Sequence, residues 1–208
     1  MSQRIIRYLE LLVIFVLFPL VYAAGWISGP KFLALLAGLT YVLLIMAFSG
    51  NFPTEAFRLR LGTYRRTILW RFAIVTTLLT LYMAFFEPEN FLILPRTHPR
   101  LWLAIMIFYP IFSALPQEII YRTYFQFRFR LLFSNENMAM LINALLFGIL
   151  HLIFHNPAAV MGGVLTGLFW YQTYRHTGSL WVVVLEHALY GNLMYTIGFG
   201  HYFYVPDF

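Results

Sequence analysis

The chain has 208 residues, of which 61% are hydrophobic and 11% charged, and its mean hydropathy is +0.74. Soluble globular domains run nearer about 45–50% apolar and about 25% charged, so the composition argues against a water-soluble fold and for a polytopic membrane protein of one domain, 1–208. There is no cysteine, which rules out disulfides and thiolate ligands. The net charge of +6 is spread over alternate loops rather than one face, against a nucleic-acid partner.

Apolar runs of roughly 17–25 residues are long enough to cross a bilayer as helices. Such runs stand at about 5–24, 32–48, 68–86, 101–127, 138–154, 158–174 and 180–199. They predict an all-α, polytopic transmembrane helix bundle of about seven spans. The first ends in Val21-Tyr22-Ala23-Ala24, loosely like a signal-peptide cleavage site. Arg4, Arg7 and Glu10 make a poor n-region for such a peptide, so a retained helix is expected. The fourth run carries Pro110 and Pro116 and is expected to be kinked or broken into two.

The basic residues sort by loop. With a cytoplasmic N-terminus, one side receives Arg4, Arg7, Arg58, Arg60, Arg65, Arg66, Arg71, Arg128, Arg130 and Arg175. The other side receives Lys31, Arg96 and Arg100, and Arg122 stays inside the membrane. Seven spans with the C-terminus outside satisfy this asymmetry. The segment from Arg58 to Arg71 reads as a topology anchor, or else as an interfacial stretch that attracts anionic headgroups. Trp26, Trp70, Trp102 and Trp181 fall at expected span ends, as an aromatic belt does. The aromatic tail from Tyr202 to Phe208 has no assigned use.

Charge inside an apolar run marks the chemistry. An ionised residue near the bilayer centre costs roughly 2.5–3.5 kcal/mol on insertion scales. Glu118 and Arg122, four residues apart, share a helix face and can lower that cost by pairing. The pair either locks helix packing or tunes Glu118 as a general base. His151 and His155 are one turn apart, a spacing able to chelate a metal, but no Glu follows His151 as in a zincin helix. His155, before Asn156-Pro157, reads as interfacial. His187 is a site candidate, whereas Glu186 and Asn192 lie off its face and are weaker ones. His98, His176 and His201 read as solvated or interfacial, and Gly162, Gly163, Thr166 and Gly167 as a close-packing stripe.

Three motifs over about 116–195 together resemble the CPBP family of intramembrane endopeptidases, the group of the CAAX-processing Ras-converting enzyme and its bacterial relatives. Glu-Glu-x-x-x-Arg stands here as Gln117-Glu118-Ile119-Ile120-Tyr121-Arg122. Phe-x-x-x-His is met by Phe147 and His151. The third motif, His followed four residues later by Asn or Asp, has His187 with Gly191 at that place and Asn192 one further on. The family often has eight spans, the alternative to seven here.

The resemblance implies hydrolysis of a peptide bond in a membrane-embedded or C-terminal-signal protein or peptide. Glu118 and His151 would polarise a water, His187 and Asn192 would donate to the oxyanion, and Arg122 would orient Glu118. A metal-free reaction is the favoured form; the alternative is Zn²⁺ held by Glu118, His151 and His187. Gln117 stands where the family carries its usual catalytic Glu, and an amide is no base. Either Glu118 takes over, or the chain is a degenerate member acting as a membrane scaffold or binding protein. A small transporter or proton relay is a further alternative. The expected setting is a multi-pass protein of a bacterial inner (cytoplasmic) membrane.

Overall fold

The computed structural model describes residues 3–203, so part of the aromatic tail, 204–208, lies outside the described residues. The described chain is all-α. Its helical runs are α1 (Gln3–Ala23), α2 (Lys31–Phe48), α3 (Arg65–Phe86), α4 (Ile93–Thr97) and α5 (Pro99–Leu132). They continue with α6 (Glu136–Phe154), α7 (Pro157–Thr177) and α8 (Leu180–Ile197).

Five of them, α1, α2, α3, α5 and α6, are long and apolar enough to cross a membrane. Their outward faces bear it out. On α3, Leu69, Trp70, Ile74, Leu78, Phe85 and Phe86 are all exposed, an apolar surface suited to lipid rather than water. Helices α7 and α8, both expected as spans, have 21 and 18 residues but fall short in apolar content. Glu186, His187 and Asn192 dilute α8.

The fourth expected span is neither broken nor regular. It is one run of 34 residues in which two turns, Pro110–Ala114 and Ile119–Tyr124, widen into π-helix. A third widened turn, Val13–Leu17, interrupts α1. Leu115 N–H reaches the Pro110 carbonyl and Phe18 N–H the Val13 carbonyl. Each of these two turns lies just ahead of a proline, Pro116 or Pro19. A proline ring crowds the carbonyl four residues before it, and a wider turn relieves that contact. The remaining π turn has no such proline and begins just after Glu118.

Helix α6 begins at Asn135, whose side chain accepts from Met138 N–H at 2.8 Å. Helix α7 begins at Asn156, which accepts from Ala158 N–H at 2.8 Å, with Pro157 in its first turn. These are the capping residues that satisfy orphan amides. Of the expected stripe, Gly163 and Gly167 pack α7 closely against α6, whereas Gly162 faces open space. A Cβ on Gly167 would lie 3.0 Å from Ala144 Cα, and one on Gly148 only 2.4 Å from Val164.

The basic segment departs from the expected loop. Arg58 pairs with Glu55 at 3.1 Å and Arg60 also bonds Glu55. Arg71 lies within α3 and turns into the protein. Its guanidinium meets Glu186 at 2.8 Å and Thr173 at 2.6 Å. Glu10 of α1 likewise bonds Tyr124 and, at 2.8 Å, Arg128 of α5. Two of the expected belt tryptophans also bond protein groups: Trp102 donates to Thr196 at 3.0 Å and Trp181 to the Phe57 carbonyl at 2.8 Å.

Candidate active site

The widened turn after Glu118 keeps the carboxylate and Arg122 on one side of α5. Both side chains are fully buried, with Arg122 Nε 3.3 Å from Glu118 Oε2. Arg122 also donates to Asn143 Oδ1 at 2.6 Å and lies over the Phe147 ring at 5.0 Å. Asn143 in turn donates to the Tyr121 carbonyl at 2.6 Å. The guanidinium is thus held by an ion pair, an amide and an aromatic face, while its Nε and Nη2 make no hydrogen bond among the described residues. Sequence reasoning missed Asn143, although a lone Asn in the apolar run of α6 is a visible signal.

The other oxygen of Glu118 reaches α8. Its Oε1 lies 2.7 Å from His187 Nδ1. A carboxylate only accepts, so a neutral His187 carries its proton on Nδ1 and leaves a lone pair on Nε2. That Nε2 is 2.9 Å from the Tyr109 hydroxyl. The imidazole also stacks on Trp170, with centroids 3.8 Å apart and planes at 17°. Glu186, about 100° round the helix from His187, projects instead to Arg71.

His151 ends the regular part of α6, where the helix tightens into a 3₁₀ turn, His151–Phe154. Its Nδ1 donates to the Phe147 carbonyl at 2.7 Å, so Nε2 of the neutral ring is again free of a proton. The ring sits against Gly163, where a Cβ would be 2.7 Å from Nδ1. The glycine read as a packing element therefore also seats a site histidine. His155 is exposed and left-handed, with φ of 51°, and does not share the site with His151.

His151, His187, Tyr109, Gln117, Ser113 and Thr166 all line one cavity of about 560 Å³, whose remaining walls are largely apolar. Gln117 faces it and donates to Ser113 at 2.9 Å. Glu118 and Arg122 sit behind that wall. Asn192 is turned to another helix, its amide donating to the Met106 carbonyl at 3.2 Å. Among the described residues no three His, Cys, Asp or Glu are grouped to hold a metal ion, so Glu118, His151 and His187 do not form such a set.

Residues 99–193, from the start of α5 to the residue after Asn192, match the family described as Type II CAAX prenyl endopeptidase Rce1-like. These residues are an Rce1-like CPBP-family domain. Comparisons with curated proteins and with solved structures gave no match. The family consists of intramembrane proteases. The Rce1-like domain holds Glu118, Arg122, His151 and His187, together with Tyr109 and Asn143, which sequence reasoning passed over.

Proposed function

We propose that the chain is an intramembrane endopeptidase acting on a peptide bond of a membrane-associated protein or peptide. The observation that carries this is the pair of imidazoles, His151 and His187, opening on one largely apolar cavity with a fastened ion pair behind them. The ring geometry supports a metal-free hydrolysis. Water adds to the scissile carbonyl and gives its proton to His151 Nε2; the same nitrogen returns it to the leaving amine as the C–N bond breaks.

Glu118 acts through His187. One of its oxygens is bonded to that ring and the other faces Arg122, so it fixes the tautomer and charge of His187 rather than meeting the water itself. This modifies the expectation from sequence, in which Glu118 is the base. Asn192, bonded away to Met106, has no part in the step. The protein works as a seven-span bundle, cytoplasmic N-terminus, in a bacterial inner membrane, on an embedded helix or a C-terminal-signal segment. Its apolar cavity walls suit such a segment.

A second reading rests on Gln117, an amide at the cavity wall where the family motif has a carboxylate. It makes the chain a membrane binding protein without hydrolysis. The deciding experiment compares wild type, Gln117→Glu, Glu118→Gln and His151→Ala in detergent, against embedded and C-terminal-signal peptides, with products read by mass spectrometry. Wild-type cleavage that His151→Ala and Glu118→Gln abolish is the expected result. A silent wild type awakened by Gln117→Glu would replace the protease with the binder.

A further inference from the structure

Gly191 stands in the middle of α8, in regular helix, where no backbone conformation calls for glycine. Room does. A Cβ there would lie 2.0 Å from Cε1 and 2.5 Å from the hydroxyl oxygen of Tyr109. The missing side chain admits the Tyr109 ring of α5, which packs edge-on to His187 and Tyr195 with centroids 5.9 and 5.7 Å away. The hydroxyl so placed is 2.9 Å from His187 Nε2 and on the cavity wall. Asn192, the polar side chain next along α8, turns its amide N–H to the Met106 carbonyl, and its buried Oδ1 makes no hydrogen bond among the described residues.

We infer that Tyr109 is a catalytic residue of this site, the hydroxyl that meets the substrate carbonyl as it becomes an oxyanion. This rests on the hydrolase reading above. In the resting site Tyr109 donates to the lone pair of His187 Nε2. When water adds, the π pair of the carbonyl moves to its oxygen, and the hydroxyl exchanges Nε2 for that charged, stronger acceptor. The Tyr109 proton is not transferred; the proton of the water goes to His151. His187, anchored by Glu118, holds the hydroxyl at the cavity between turnovers, and Gly191 is the residue that makes the place.

The test is Tyr109→Phe, which keeps the ring and removes only the oxygen. On the panel peptide that wild type cleaves fastest, kcat falls about 10²–10³-fold while KM stays within about threefold. In parallel, ring-¹⁵N histidine spectra of the full chain in detergent show the His187 Nε2 resonance moving in Tyr109→Phe, with His151 unchanged. Undiminished kcat in the variant, or a His187 resonance that does not move, overturns the assignment of Tyr109 alone. A wild type that cleaves no peptide of the panel overturns the hydrolase reading, and the catalytic duty of Tyr109 with it. A KM effect without a kcat effect makes the hydroxyl a binding group, and also overturns the proposal.

Discussion

Arg122 is the residue whose surroundings leave least choice. Removing its carboxylate partner leaves an uncompensated buried cation, and breaking such pairs typically costs about 3–5 kcal/mol. Glu118→Gln therefore lowers the thermal midpoint of the detergent-solubilised protein, whereas His151→Ala, which strands no charge, lowers it far less. Comparing the two melts separates loss of chemistry from loss of fold. A milder pairing lies outside the membrane-spanning helices. Tyr202 donates to Glu87 at 2.5 Å, which holds the carboxyl below its ordinary range and pushes the phenol up to about 12. The carboxylate's contribution is present above its unfolded pKa and lost as pH falls through its lowered one. The phenol's contribution is present below its unfolded pKa and fades as pH rises toward 12. In Glu87→Gln the phenolate absorbance of Tyr202, taken as the difference from Tyr202→Phe, should appear at lower pH.

At the level of elements, the seam between α6 and α7 ties packing to chemistry. A methyl added at Gly163 would strike the His151 ring, 2.7 Å from Nδ1, so Gly163→Ala must turn the imidazole and break its bond to Phe147. Overpacking of this kind costs about 1–3 kcal/mol. We expect Gly163→Ala to lose cleavage disproportionately to stability, and Gly148→Ala, which meets Val164 instead, to lose stability with less effect on cleavage. Peptide assays beside thermal melts check both. The same seam shows what was legible beforehand. Small residues in an apolar run announce close helix packing, and charges there announce a site, because both follow from local composition. Which way a side chain turns does not. Nothing in the neighbourhood of Glu118 along the chain reveals that one of its oxygens lies against His187. Tyr109 and Asn143 were passed over because one tyrosine or asparagine looks like any other until a partner from a distant helix arrives. Arg71, read as a loop anchor, belongs to a helix and answers to Glu186.

For the whole molecule, the lack of cysteine makes orientation directly measurable. Single cysteines at Arg65 and Arg96, probed with a membrane-impermeant maleimide in right-side-out vesicles, should give labelling at Arg96→Cys and protection at Arg65→Cys. The reverse pattern would invert the proposed topology. The length of α5 then bears on where the site lies. Thirty-four residues rise about 51 Å as a helix, against a hydrocarbon core of about 30 Å. A chain that enters the hydrocarbon at Pro99 has risen about 28 Å by Glu118. On the proposed topology, an upright α5 would put the ion pair near the opposite boundary layer, where hydration is close and a charge is far easier to keep than at mid-depth. Water for the proposed reaction would then have only a short way to travel, and a substrate helix would be drawn out by its end rather than cut at its middle.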